Sequence, residues 1–153
     1  MKLLYEQLNG RDGHSAGLAL LEKLCGSPLP EIRKTKLGKP YFVDSPLHFS
    51  VSHTKRYVFV ALSEKPIGID AEETDRNIDL RLAEKILSPK EMTQFQNAED
   101  QRLALLKFWV LKEAAGKCAG EGLQLWPNHT AFSLTDPRVQ EISNCFVAVI
   151  EDW

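Results

Sequence analysis

Ile67-Gly68-Ile69-Asp70-Ala71-Glu72 alternates apolar and acidic side chains with a period of two. In a strand, successive side chains point to opposite faces. Ile67, Ile69 and Ala71 then turn toward a core, while Asp70 and Glu72 share the other face. Two neighbouring carboxylates repel unless a cation or a basic group stands between them. Paired hard oxygens suit Mg²⁺, which takes one or two carboxylates together with phosphate oxygens and water. The same pair is also what a solvated strand edge carries.

Outward from this stretch, the chain alternates short strands with longer helices. Upstream, residues 47–52 and 57–62 read as strands. The second is apolar on both faces (Tyr57, Phe59, Ala61 against Val58, Val60, Leu62), as a strand covered on both sides would be. Residues 2–8 predict a first strand. From His14 the period becomes helical, with Leu18, Leu21 and Cys25 on one stripe, until Gly26-Ser27-Pro28 ends it. Residues 29–36 are a connector with some strand character. Gly38-Lys39-Pro40 is a turn into 41–43. Downstream, 78–97 reads as helical with a restart at Ser88-Pro89, Ser88 as N-cap and Pro89 at the first helical position. Residues 101–119 form the longest helix, closed by Gly120 and Gly122. Strands at 131–134 and 145–150 complete an α+β order.

Composition bounds the function. A chain of 153 residues, 43% hydrophobic and 26% charged, fits one domain with a real core. A net charge of −2 provides no field for nucleic acid or an anionic membrane surface, so neither is expected as a partner. Cys25, Cys118 and Cys145 are odd in number and lack a CxxC spacing, so free thiols in a reducing cytosol are expected. The first residues have no apolar signal region, and no apolar run approaches the ~20 residues of a membrane span. A cytoplasmic location is the expectation.

Three more features carry chemistry. Trp109, Glu113 and Lys117 are spaced i, i+4, i+8 and share a helix face; a surface Glu–Lys pair has the same spacing. Phe49-Ser50-Val51-Ser52-His53-Thr54 places hydroxyls and an imidazole at a strand end, suited to phosphate oxygens or simply to closing the strand. Gly38-Lys39-Pro40 displays a lysine on a turn.

Taken in order, Gly-Lys-Pro at 38–40, Phe-Ser-Val-Ser-His-Thr at 49–54, Gly-Ile-Asp-Ala-Glu at 68–72, Trp-Val-Leu-Lys-Glu-Ala-Ala-Gly-Lys at 109–117 and Gly-Glu-Gly-Leu at 120–123 resemble the Sfp-type 4′-phosphopantetheinyl transferases. The resemblance covers about residues 36–123. It implies a pseudo-twofold duplicated α+β fold, here with halves 1–65 and 66–153 and the active site between them. It implies transfer of the phosphopantetheine arm of coenzyme A to a serine of an apo acyl or peptidyl carrier protein, releasing 3′,5′-ADP. Asp70, Glu72 and Glu113 match the family's acids for Mg²⁺, with Mn²⁺ as a substitute, and Glu113 is the candidate base. Lys117 matches a lysine on the coenzyme A phosphates. Lys39, Ser52 and His53 match positions holding the nucleotide end, with Pro40 and Thr54 beside them. Two halves in one chain make a monomer sufficient.

The sequence departs from the family in places. His14 is followed by Ser15 where an Arg is frequent, which shifts the grip on the nucleotide 3′-phosphate toward Lys39 and His53. Ser50 and Thr54 replace a frequent Asn and Ser. The resemblance also points to carrier docking on the segment after Glu72, with Arg76, Arg81, Lys85 and Lys90 steering and Ile86 or Leu87 anchoring. Two other functions compete: a module of the same fold that binds carrier or nucleotide without turnover, and a Mg²⁺-dependent pyrophosphate hydrolase. Mass gain on an apo carrier separates the first from the transferase, and release of products without a carrier marks the second.

Overall fold

The computed structural model describes residues 1–121 and 131–153. Among the described residues, three antiparallel sheets and four α-helices make up the fold. Strand β1 (Lys2–Gln7) lies at one edge of a three-stranded sheet with order β1-β5-β4, where β4 is His48–His53 and β5 is Tyr57–Ser63. Helix α1 (Gly13–Cys25) covers one face of this sheet. Asp12 caps it by accepting the Ser15 N–H at 2.8 Å. A two-stranded hairpin, β2 (Ile32–Lys34) with β3 (Pro40–Phe42), stands beside it.

The second three-stranded sheet has order β6-β8-β7, from β6 (Ile67–Glu73), β7 (Val139–Ile142) and β8 (Cys145–Glu151). Helix α4 (Gln101–Ala119) packs on it. Asp100 caps the start of α4, and Gly120 closes it in the left-handed conformation (φ 76°), where its N–H reaches the Gly116 carbonyl at 2.9 Å. Between the sheet and α4 in sequence lie a 3₁₀ turn at Leu80–Leu82 and two short helices, α2 (Ala83–Ile86) and α3 (Pro89–Gln96). The helical stretch expected over 78–97 is thus three pieces. The restart at Ser88 is as expected, and Ser88 and Glu91 form a reciprocal capping box.

Strand β5 joins the two sheets. Val58, Val60 and Leu62 pack against α1, and Phe59 and Ala61 pack against Ile67, Ile69, Ala71, Cys145 and Val147 of the other sheet. Its two apolar faces therefore serve two separate clusters, as the sequence predicts. Where β4 meets β6, serine hydroxyls replace a backbone ladder. Ser50 Oγ accepts the Ile69 N–H at 3.1 Å, and Ser52 Oγ accepts the Ala71 N–H at 3.2 Å.

One strand expectation fails. Residues 131–134 form no strand, because side chains of α3 take up their backbone groups. Glu91 Oε1 accepts the Phe132 N–H at 2.8 Å, Gln94 Nε2 donates to the Phe132 carbonyl at 3.3 Å, and Gln94 Oε1 accepts the Leu134 N–H at 3.0 Å. The outer strand is Val139–Ile142 instead. Cys118 and Cys145 are buried free thiols and Cys25 is half-buried. Gly122 lies outside the described residues, as does the 122–123 part of the glycine motif. Among the described residues, no helix is long and apolar enough to cross a membrane.

Candidate active site between β4, β6 and α4

Gly68 sets the geometry. A Cβ on this residue would lie 1.9 Å from the Ala114 carbonyl oxygen and 2.4 Å from the Cys118 nitrogen of α4. Only hydrogen fits there, so the helix lies almost on the strand. Gly68, Asp70 and Glu72 share that face of β6 by the period of two. The close approach thus brings Glu113 and Lys117 over Asp70.

Asp70 is therefore buried, only 6% exposed; the solvated edge considered from the sequence is not what the fold builds. Its Oδ1 accepts from Lys117 Nζ at 2.7 Å and from Ser52 Oγ at 3.0 Å. Lys117 Nζ also donates to the Ile69 carbonyl at 3.1 Å. Asp70 Oδ2 is buried without a hydrogen-bond partner. Burial pushes the Asp70 carboxyl above its ordinary range, against the pull of Lys117 and Ser52. Glu72 is half-buried and ion-paired with Arg76. It is raised as well, by burial first, with Arg76 opposing and Asp70 adding to the rise. Glu113 is held up to about 7, chiefly by burial and then by the negative charge of Asp70.

One cleft of about 340 Å³ is lined by Ser52, His53, Asp70, Glu72, Arg76, Trp109, Glu113 and Lys117, among others. The predicted helix face of Trp109, Glu113 and Lys117 is thus realised, and the strand pair meets it. A second cleft of about 270 Å³ shares Val51 and Lys117 with the first and is walled by Lys39, Pro40, Phe49, Ser50 and Gly120. The two form one groove, running between the sheet of β4 and the helix α4.

The remaining predicted residues fall as follows. His53 is exposed at the end of β4, and its ring lies over Gly13, where a Cβ would come within 2.6 Å of the imidazole Cγ. Ser52 is buried and spends its hydroxyl on Asp70 and Ala71. Thr54 does not line either cleft. Its hydroxyl accepts the Arg56 and Tyr57 N–H groups at 3.1 and 3.0 Å and closes the β4–β5 turn. Lys39 lines the second cleft but reaches across it, donating to the Cys118 carbonyl at 2.6 Å. There it meets the negative end of α4, and burial lowers its pKa. In the segment after Glu72, Ile86 and Leu87 are core residues, 6% and 5% exposed, so neither is available as a docking anchor. Leu80 is the exposed apolar residue there, and Arg81 is tied to Asp79.

Sequence reasoning missed the Arg76–Glu72 ion pair and the buried Lys112–Glu91 pair at 2.8 Å. The first had an i, i+4 spacing as its signal. The second spans two helices and had none.

The donor set fits a divalent cation. Asp70, Glu72 and Glu113 present hard carboxylate oxygens to one cleft, and one of them, Asp70 Oδ2, is a buried acceptor without a donor. Among the described residues, no three His, Cys, Asp or Glu side chains already stand in ligand geometry. Asp70 and Glu72 are instead each ion-paired, with Lys117 and Arg76.

The fold is thus a mixed one of small antiparallel sheets and helices, with an acid-lined cleft under the Trp-x-x-Lys-Glu stretch of α4. The profile of the 4′-phosphopantetheinyl transferase superfamily matches residues 66–151, more than half of the chain, and the chain belongs to that superfamily. It is 35% identical over 95 residues to "4′-phosphopantetheinyl transferase gsp" of Aneurinibacillus migulanus, covering 61% of this chain and 39% of the relative. It is 36% identical over 91 residues to "4′-phosphopantetheinyl transferase Sfp" of Bacillus subtilis strain 168, covering 58% and 40%. With "4′-phosphopantetheinyl transferase psf-1" of Bacillus pumilus it shares 38% over 89 residues, covering 56% and 38%. The match thus spans about two-fifths of the length of these relatives.

Proposed function

We propose that the protein is an enzyme that transfers the 4′-phosphopantetheine arm of coenzyme A to a serine of an apo acyl or peptidyl carrier protein, with 3′,5′-ADP as the other product. The observation that carries this reading is the convergence of Asp70, Glu72, Glu113, Lys117 and His53 on one cleft. The relatives' names and the superfamily match support the same chemistry.

In this reading the groove binds coenzyme A along its length. The nucleotide end runs beside Pro40, and Lys117 meets the pyrophosphate. Lys39 and His53 take the nucleotide phosphates, with Lys39 leaving the α4 carbonyl to do so. Asp70, Glu72 and Glu113 would hold a divalent cation, which would supply charge neutralisation at the pyrophosphate. Glu113 accepts the proton of the attacking serine hydroxyl, directly or through water. Burial and the charge of Asp70 hold Glu113 up to about 7, which favours its role as base, and a bound cation would pull it down. Ser52 positions Asp70 rather than touching ligand, and Thr54 acts through the turn beside His53.

The halves 1–65 and 66–153 are read as a pseudo-twofold pair. Each holds a three-stranded antiparallel sheet with one long helix packed on it, α1 in the first and α4 in the second. One chain then carries both walls of the groove, and a monomer suffices. The composition and the charge keep the cytoplasm as the proposed location and leave nucleic acid and membrane aside.

The test is intact mass. An apo carrier incubated with the protein, coenzyme A and Mg²⁺ should gain the mass of one phosphopantetheine, and chelator or Glu113→Gln should abolish the gain. Binding of coenzyme A with no mass gain on a panel of carriers would instead favour a module that binds without turnover.

A further inference from the structure

Arg76 was read from the sequence as part of a charged docking face, yet its side chain lines the acid cleft. The guanidinium is ion-paired with Glu72 and lies over the Trp109 ring, 5.6 Å from the centroid. The backbone beneath is fixed from three sides. Arg76 N–H donates to the Glu73 carbonyl at 2.9 Å, Arg102 Nη1 donates to the Arg76 carbonyl at 3.1 Å, and Thr74 N–H donates to the Asn144 carbonyl at 2.9 Å. Arg76 is thus held at Glu72 by the fold rather than by chance of a surface rotamer. Arg56, a further arginine near this turn, is committed to Glu73 and Asp75.

We propose that Arg76 is the built-in counter-ion of the carboxylate cleft: it occupies Glu72 until a divalent cation takes its place, and so sets how tightly the cleft holds that cation. The proposal rests on the reading of Asp70, Glu72 and Glu113 as cation ligands. Asp70 already carries the Lys117 ammonium, so Glu72 is the second negative charge that needs compensation when the cleft is empty. A cation arriving at Glu72 must displace the Arg76 guanidinium and share the site with the Lys117 ammonium. Both effects weaken its binding. The cation–π contact lets Arg76 leave Glu72 without leaving Trp109, because the ring face holds the guanidinium where the carboxylate no longer does. Part-exposed ion pairs contribute at most modestly, so the effect is several-fold and screened by salt, not orders of magnitude.

The experiment is a Mn²⁺ titration followed by electron paramagnetic resonance of the free ion, without coenzyme A or carrier, on the whole chain. Arg76→Gln should tighten Mn²⁺ about 3- to 10-fold at low salt, with a smaller gain at high salt. Arg76→Lys, which keeps the charge, should stay within about twofold of the unaltered protein. Glu72→Gln should weaken Mn²⁺, and Arg76→Gln added to it should change little. Unchanged or weaker binding in Arg76→Gln, with Mn²⁺ still bound by the unaltered protein, overturns the counter-ion role and makes Arg76 a support for Glu72. If neither protein binds Mn²⁺, the cation reading of the cleft fails and this proposal falls with it. Far-ultraviolet circular dichroism of each variant checks the fold independently.

Discussion

Lys112→Met is the perturbation whose cost is best determined by the structure. Lys112 is fully buried, with its ammonium 2.8 Å from Glu91 Oε2 and 5.8 Å from the Phe132 ring centroid. Glu91 is equally buried and also accepts the Ser88 N–H at 2.7 Å and the Phe132 N–H at 2.8 Å. Removing the lysine strands a carboxylate in the core, which costs about 3–5 kcal/mol. For a chain of this size, each kcal/mol shifts Tm by roughly 2–4 °C, so a fall of about 6–20 °C is expected. Glu91→Gln takes the carboxylate away from the buried ammonium instead and should also destabilise the fold. The double variant loses both charges and keeps one amide oxygen for one of the two N–H donors. Its cost should fall to about 1–3 kcal/mol, near that of one unsatisfied buried group. The singles and the double should therefore be strongly non-additive. Urea unfolding followed by fluorescence measures all three. A Lys112→Met loss below about 1 kcal/mol, or a double variant equal to the sum of the singles, would refute the reasoning.

Three other outcomes follow from particular contacts. Gly68→Ala should push α4 off β6, costing at least about 1–3 kcal/mol and depressing turnover even below the unfolding transition, because Glu113 and Lys117 move away from Asp70; a stable variant with full turnover in the mass assay would exclude that role for Gly68. Lys39→Ala and His53→Ala should weaken coenzyme A roughly 10- to 150-fold, as loss of charged contacts does, with carrier binding less affected; calorimetry showing unchanged coenzyme A affinity in both would remove them from the ligand site. Burial raises the Cys145 thiol from its ordinary 9.0 to about 11, so the folded state keeps a proton that the unfolded chain loses. That contribution is full below pH 9 and is lost as pH rises toward 11, about 2–3 kcal/mol in all. Stability of the unaltered protein relative to Cys145→Ala, from urea titrations, should fall across that window, and a flat difference would count against the shift.

Much of this site is legible along the chain because its signals are local. The stripe of Trp109, Glu113 and Lys117 follows from helical period alone, and the caps at Asp100 and Gly120 bound that helix as their residue types require. The alternation in 67–72 puts Asp70 and Glu72 on one face wherever the strand lies. Residues 57–62, apolar on both sides, announce a strand covered twice, and both coverings are present. What the alternation does not say is what covers the acidic face. That depends on Gly68 meeting Ala114 and Cys118, a contact between residues far apart in sequence, and it turns a face that local pattern allows to be solvated into a buried one. The same holds for 131–134. Their composition suits a strand, but Glu91 and Gln94 of a helix about 40 positions earlier satisfy their backbone groups instead. Ile86 and Leu87 lie in the core and Lys39 is drawn to the end of α4 for one common reason. Periodicity constrains which way a side chain points relative to its own backbone, whereas burial and charge pairing are decided by which distant segment arrives opposite it.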